Sequence, residues 1–255
     1  MQMERDGSLT LMKQNLALKA LRENNSPDLE TYIKQTLSDE SSNAISSALE
    51  MVITFDDTAW CPIIDDLFKR FEPAGKVKIG EFPEPEIWGQ CIDFLLRHNF
   101  QFEETSKYLR DACNFCLAEA AFLALKYQLP NALELFRMAL QSQISCNRET
   151  ASAILAILDQ PWSRKELLQI LKDSTSQQAT AECRAALQQL QTKDAHQLVN
   201  EWEELNPHEP ETGDWISLDE MLLLKVPEYV KWEIEEWHDR VLPLRSILPL
   251  EPDTK

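Results

Sequence analysis

The stretch Ala112–Leu140, ACNFCLAEAAFLALKYQLPNALELFRMAL, decides the fold class. Its first part, as far as Tyr127, is apolar on nearly every side, which is typical of a helix that is buried on several faces. Its second part, from Ala132, is amphipathic. Pro130 lies in the short break between them, where it cannot continue the first helix but fits near the start of the next. Two helices joined by so short a hinge form the unit of an α-helical repeat.

The same stretch resembles the second half of a tetratricopeptide repeat. Small and apolar residues occur at the offsets that such a repeat uses for close helix contact, namely Ala120, Leu123, Ala132, Phe136 and Ala139. Cys116, Glu119 and Ile144 depart from the pattern, which has an aromatic residue, a leucine and a proline there. The likeness covers one repeat, and no second copy occurs at a period of about 34 residues. The resemblance implies stacked helical hairpins and names no partner.

Glycine is scarce, with five in a chain of 255 residues. Enzymes that bind nucleotides on a parallel sheet use glycine in strand-to-helix turns and phosphate loops, and neither motif occurs here. The best strand candidate, Met51–Phe55, suits the end of a helix equally well. We therefore predict an all-α fold of stacked antiparallel helical hairpins, similar to an α-solenoid, with an irregular, acidic, tryptophan-rich C-terminal segment.

Composition changes along the chain predict four parts. An N-terminal helical part spans residues 1–72, and an internal linker with three prolines and two glycines spans 73–86. A central stack of helical hairpins spans 87–205. The acidic, tryptophan-rich segment spans 206–255.

Local signals predict where several helices begin. Ser163 followed by Glu166 indicates a capping box. Ser217 predicts the cap of a short helix and Pro227 the start of a second one, because proline suits the first helical position. A long helix is expected from about 179 to 205, with a break favoured near Thr192.

The formal net charge is −18. This charge opposes broad electrostatic binding of nucleic acid or anionic lipid, and it suits a protein partner with a basic surface. The polar start, Met1–Asp6, has no signal-peptide character, and no apolar run approaches the length of a membrane span. We expect a cytoplasmic or nuclear protein with free thiols, no membrane segment and no cofactor.

The cysteines give the main alternative function. Cys113 and Cys116 have the spacing of zinc ligands, and Cys91 and His98 could contribute from another predicted helix. Tetrahedral zinc needs four ligands, and no second pair or histidine motif completes the set. Small buried core residues are the favoured interpretation of these cysteines. A metal-binding helical protein or enzyme that uses Cys113 and Cys116 stays the alternative.

The C-terminal segment carries the candidate binding residues. Four of the seven tryptophans, Trp202, Trp215, Trp232 and Trp237, lie in this region of the chain. Residues 201–255 hold 15 Asp or Glu against 5 Lys or Arg. In one interpretation the segment folds back and buries the indoles against the helical stack. In the other, the indoles are hot spots for a protein partner and the acids form a polar rim.

We predict a non-enzymatic α-helical scaffold or adaptor that works through protein–protein contact as a subunit of a larger complex. No nucleophile–base constellation indicates an enzyme. The candidate partner-binding residues are Trp215, Trp232, Trp237, Glu233 and Glu236. A further alternative is that the chain is a short isoform or the helical end of a larger nuclear or cytoplasmic assembly factor.

Overall fold

A computed structural model of the chain describes residues 28–38, 42–71, 85–110, 116–190, 196–197, 199–200 and 218–249. Eleven α-helices and two short 3-10 helices make up this described part, which contains no strand. The all-α prediction is confirmed. The strand candidate, Met51–Phe55, closes a helix. The described helices fall into two compact units that divide between Tyr108 and Leu109.

The first unit contains four helices and the beginning of a fifth. They are α1 (Leu29–Leu37), α2 (Ser42–Phe55), α3 (Cys61–Phe71), α4 (Pro85–Arg97) and α5 (Phe102–Arg110), the last of which contains the division between the units. Helix α4 packs against α2 and α3, and α1 packs against α2. The predicted linker, 73–86, lies outside the described residues apart from its last two positions, which begin α4.

Aromatic side chains fill the centre of this unit. The ring of Phe68 lies edge-on to that of Tyr108, with the ring centroids 4.7 Å apart, and 6.3 Å from that of Trp88. The Asp57 side chain accepts a hydrogen bond from the backbone N–H of Ala59 and caps the 3-10 turn before α3. Such a cap satisfies an N–H group that has no partner within the turn.

Six of the described helices lie wholly within the second unit. They are α6 (Leu117–Lys126), α7 (Ala132–Leu140), α8 (Ser145–Leu158), α9 (Pro161–Asp173), α10 (Gln177–Gln188) and α11 (Leu218–Val241), followed by a 3-10 turn (Leu242–Leu244). Helix α8 contacts all five other helices. Every residue from Ala151 to Leu158 is buried, so α8 is the central helix of this unit.

The predicted repeat-like hairpin is the pair α6 and α7, which pack against each other. All five positions that carry the tetratricopeptide resemblance are buried: Ala120, Leu123, Ala132, Phe136 and Ala139. Small residues at such positions let two helix backbones approach closely. One departure from the repeat pattern has a structural use, because the Glu119 carboxylate pairs with Arg240 of α11 at 2.7 Å.

The predicted capping box at Ser163 was wrong by one turn. Helix α9 begins earlier, at Pro161. The Ser163 hydroxyl accepts a hydrogen bond of 2.9 Å from the backbone N–H of Gln160. Proline suits the first helical position because its N–H would lack a helical partner there in any case. Glu166 therefore takes no part in the cap, and its carboxylate accepts two hydrogen bonds of 2.8 Å from Arg137 of α7.

Two predicted helix boundaries also differ. Pro227 does not start a new helix, because α11 runs without interruption from Leu218 to Val241. A proline inside a helix removes one backbone hydrogen bond, but burial of its neighbours Val226 and Val230 offsets that cost here. The long helix expected at about 179–205 does break, but earlier than near Thr192, because α10 begins at Gln177 and ends at Gln188. The described residues 196–197 and 199–200 are helical again.

Candidate partner-binding surface on α11

The inner face of α11 is buried against α8 and α10. Its buried residues, Val226, Val230, Trp237 and Val241, are separated by four, seven and four positions. That spacing is the period of one helix face. The sequence therefore folds α11 onto the unit along a single apolar stripe.

Trp237 fixes the C-terminal half of this stripe. Its ring lies 5.1 Å from that of Phe122 on α6, at an angle of 74°. The guanidinium of Arg240 lies 4.0 Å from the Trp237 ring centroid and 5.0 Å from that of Phe122. Glu119 completes the arrangement by accepting a hydrogen bond from Arg240 at 2.7 Å. Edge-to-face ring pairs and an arginine over an indole both stabilise such a junction beyond the area buried.

Glu233 joins α11 to α8. Its carboxylate accepts a hydrogen bond of 2.6 Å from the Thr150 hydroxyl. Burial raises the pKa of Glu233 above its ordinary value, against the lowering effect of hydrogen bonds from Thr150 and Trp237, and the carboxylates of Glu236 and Glu149 raise it further. Burial also raises the pKa of Glu149. The junction between α8 and α11 therefore favours the neutral form of the Glu233 and Glu149 carboxyl groups over the ionised form.

A buried ion pair joins α8 to α10, the two helices that carry α11. Arg148 donates two hydrogen bonds to the Glu182 carboxylate, at 2.7 and 2.8 Å, and a third to the Ser142 carbonyl at 2.7 Å. Arg148 and Glu182 are 4% and 1% exposed. Burial raises the pKa of Glu182 to about 7 although the paired guanidinium acts to lower it. With all its polar groups bonded, the pair fixes the register of the two helices.

The outer face of α11 has the opposite character. Trp232 is 64% exposed, and its ring lies 6.0 Å from that of Tyr229. Glu228, Glu235 and Glu236 are exposed and lie three or four positions from Trp232, and therefore on the same side of the helix. We call these five residues the outer patch. It presents an aromatic pair surrounded by carboxylates.

The predicted binding residues therefore divide between the two faces. Trp232 and Glu236 lie on the outer patch, Trp237 is buried, and Glu233 is partly buried against Thr150. Trp215 lies outside the described residues. Each interpretation of the tryptophan cluster thus fits one of the two described indoles. The prediction that they bind a partner stays a prediction.

Sequence reasoning missed Tyr229 and Arg240. Tyr229 is three positions before Trp232, a spacing that the pattern of aromatic residues already contained. Arg240 carried no such signal, because its contacts with Phe122 and Glu119 join residues that are far apart in the chain.

Three of the four candidate metal ligands, Cys91, His98 and Cys116, lie among the described residues. Cys91 and Cys116 are buried, and burial raises the pKa of the Cys91 thiol. His98 lies 3.2 Å from the Asp56 carboxylate, with its ring against Phe94. Cys113 lies outside the described residues. Within those residues, no three side chains of His, Cys, Asp or Glu are grouped as metal ligands would be.

Comparison of the chain with protein-family models, with curated proteins and with solved structures found no match. In the described ranges, no helix combines the length and the apolar character that a membrane crossing needs.

Proposed function

We propose that this protein is a non-enzymatic α-helical adaptor that binds a protein partner through the outer patch of α11, as a subunit of a larger complex. One observation carries the proposal. The same helix buries Trp237 to 6% exposure and leaves Trp232 at 64% exposure, only five positions earlier. The fold therefore buries the indole of Trp237 and leaves the indole of Trp232 exposed to solvent.

Tryptophan is among the residues that contribute most to protein–protein binding energy. An indole adds a large rigid contact area at small cost in side-chain entropy. Three of its four neighbours on the outer patch are carboxylates, which matches the polar rim that surrounds such anchors in known interfaces. The net charge of −18 favours a partner with a basic surface. The proposed setting is the cytoplasm or nucleus, where free thiols stay reduced.

Affinity purification of the full-length chain from cells, followed by mass spectrometry, tests this proposal. We expect Trp232→Ala to lower recovery of the specific partner by about tenfold or more, the effect typical of a binding hot spot. Met138→Ala is the matched control, because Met138 is a second exposed apolar side chain of the same unit, 43% exposed on α7. It should recover the partner as the wild type does.

Thermal unfolding must show that both variants stay folded. Equal recovery of every partner by the wild type and a folded Trp232→Ala variant would remove the outer patch as the binding surface.

A further inference from the structure

We propose that the outer patch receives the arginine or lysine side chain of a basic segment of the protein partner, with the cation stacked on the indole of Trp232. This inference rests on the proposed function and adds the chemistry by which the partner is recognised.

The first support is the arrangement of side chains around the indole. Glu228 and Tyr229 precede Trp232 by four and three positions, and Glu235 and Glu236 follow it by three and four. Residues three or four apart are neighbours on a helix surface, so carboxylates lie on both sides of the indole along the helix. The face of an aromatic ring is electronegative and attracts cations. Ring and carboxylates thus favour the same kind of ligand.

The second support is a filled example on the same helix. Arg240 lies over Trp237 at 4.0 Å and donates a hydrogen bond of 2.7 Å to Glu119. This trio of indole, guanidinium and carboxylate has the composition that we propose for the outer patch with its ligand. Trp232 makes a ring contact with Tyr229, and no lysine or arginine among the described residues stacks on it.

The chain's own nearby cations compete only weakly. Lys231 lies 4.0 Å from Glu235, and the two side chains are 62% and 66% exposed. Exposed ion pairs of this kind contribute little, because water and salt screen them. Lys225, also exposed, precedes Glu228 by three positions. Three carboxylates against two ammonium groups still leave the outer patch negative. A partner's arginine can therefore bind without breaking a strong internal contact.

The test measures binding of a fluorescently labelled arginine-containing peptide to the full-length protein by fluorescence anisotropy. The matched probe is the same peptide with citrulline in place of arginine, which keeps the shape and removes the charge. We expect the citrulline peptide to bind about tenfold more weakly. Trp232→Ala should weaken binding of the arginine peptide about fivefold, and Trp232→Phe should weaken it less, because indole is the strongest aromatic acceptor of cations.

A strongly acidic protein binds cations in many places, so two controls define the site. Glu134→Gln removes an exposed carboxylate from α7, and Met138→Ala removes an exposed apolar side chain from the same helix. Both control variants should bind the arginine peptide with an affinity within about twofold of the wild type. The double variant Glu235→Gln, Glu236→Gln should bind the peptide more weakly, and its binding should depend less on salt concentration.

Equal binding of the arginine peptide by Trp232→Ala and wild type would overturn the inference, and so would an equal loss in the two control variants. If Trp232→Ala also loses its cellular partner while it binds the peptide normally, the inference falls and the proposed function stands. If peptide binding depends on Trp232 and partner recovery does not, the outer patch binds cations but the proposed function falls.

Discussion

The two faces of α11 carry the same residue types in opposite surroundings. On the inner face an indole, an arginine and a carboxylate, from Trp237, Arg240 and Glu119, meet and hold α11 against α6. On the outer face an indole and carboxylates are grouped without that arginine. The difference teaches that composition alone does not separate a buried tryptophan from an exposed one. The position of each residue on the helix, relative to the buried stripe, makes that distinction.

The largest expected effect is on the inner face. Trp237→Ala should lower the free energy of unfolding by about 3–5 kcal/mol, because loss of the large side chain leaves a cavity and removes the contact with Phe122. Trp232→Ala should change it by less than about 0.5 kcal/mol, since its side chain is mostly in water. Denaturant unfolding of the full chain measures both. Similar losses in the two variants would contradict the assignment of faces.

The next effect tests the ion pair beneath α11. Arg148→Met should cost about 3–5 kcal/mol, because it leaves Glu182 buried without a partner. The pKa of Glu182 is raised to about 7 in the folded state. The protonated carboxyl group therefore contributes its full stability at a pH below the pKa of the unfolded chain, and this contribution is lost as the pH rises through about 7. Removing the guanidinium raises that pKa further. The loss in the variant should therefore be greater at pH 8.5 than at pH 6.

Unfolding of Arg148→Met and the wild type across this pH range gives the measurement. The control is Lys231→Met, which removes the ammonium group from an exposed pair with Glu235, where the two side chains are 62% and 66% exposed. Because water solvates the carboxylate that remains, this variant should lose less than about 1 kcal/mol at either pH. A loss in Arg148→Met that is unchanged between pH 6 and pH 8.5 would contradict the account of Glu182.

The smallest effect is at the junction between α8 and α11. Thr150→Val should destabilise the fold by about 1–2 kcal/mol, because it removes the hydroxyl that donates to the Glu233 carboxylate. Thr150→Ser keeps the hydroxyl and should lose less. Comparison of the two midpoints of unfolding separates the hydrogen bond from packing. A loss in Thr150→Ser that equals or exceeds the loss in Thr150→Val would show that the methyl group of Thr150 matters at least as much as its hydroxyl, and would contradict this account.

Much of the fold was predictable because local signals carry it. Scarce glycine and helical periodicity predicted an all-α chain, and the buried positions of the α6–α7 hairpin were readable from Ala120 to Ala139. The capping box at Ser163 failed because Pro161 offers an earlier start. The break at Pro227 failed because packing of Val226 and Val230 outweighs one lost backbone bond. Propensity is local, and these outcomes depend on tertiary contacts.

The candidate site was predictable only in part. The sequence placed Trp232, Trp237, Glu233 and Glu236 in one segment and left burial and binding open for its indoles, but it did not indicate which indole is buried. Which indole is buried depends on where α11 meets Phe122 and Thr150, residues more than eighty positions away in the chain. Such long-range pairings have no signature in the segment itself.

The most direct test of the division between the two faces is photo-crosslinking in cells. A benzophenone amino acid replaces Lys231, which is exposed beside Trp232, or, as the control, Glu134, which is exposed on α7. We predict a discrete crosslinked protein from position 231 and none from position 134, with the wild-type stability retained. The same crosslinks from both positions, or none from position 231, would contradict the account.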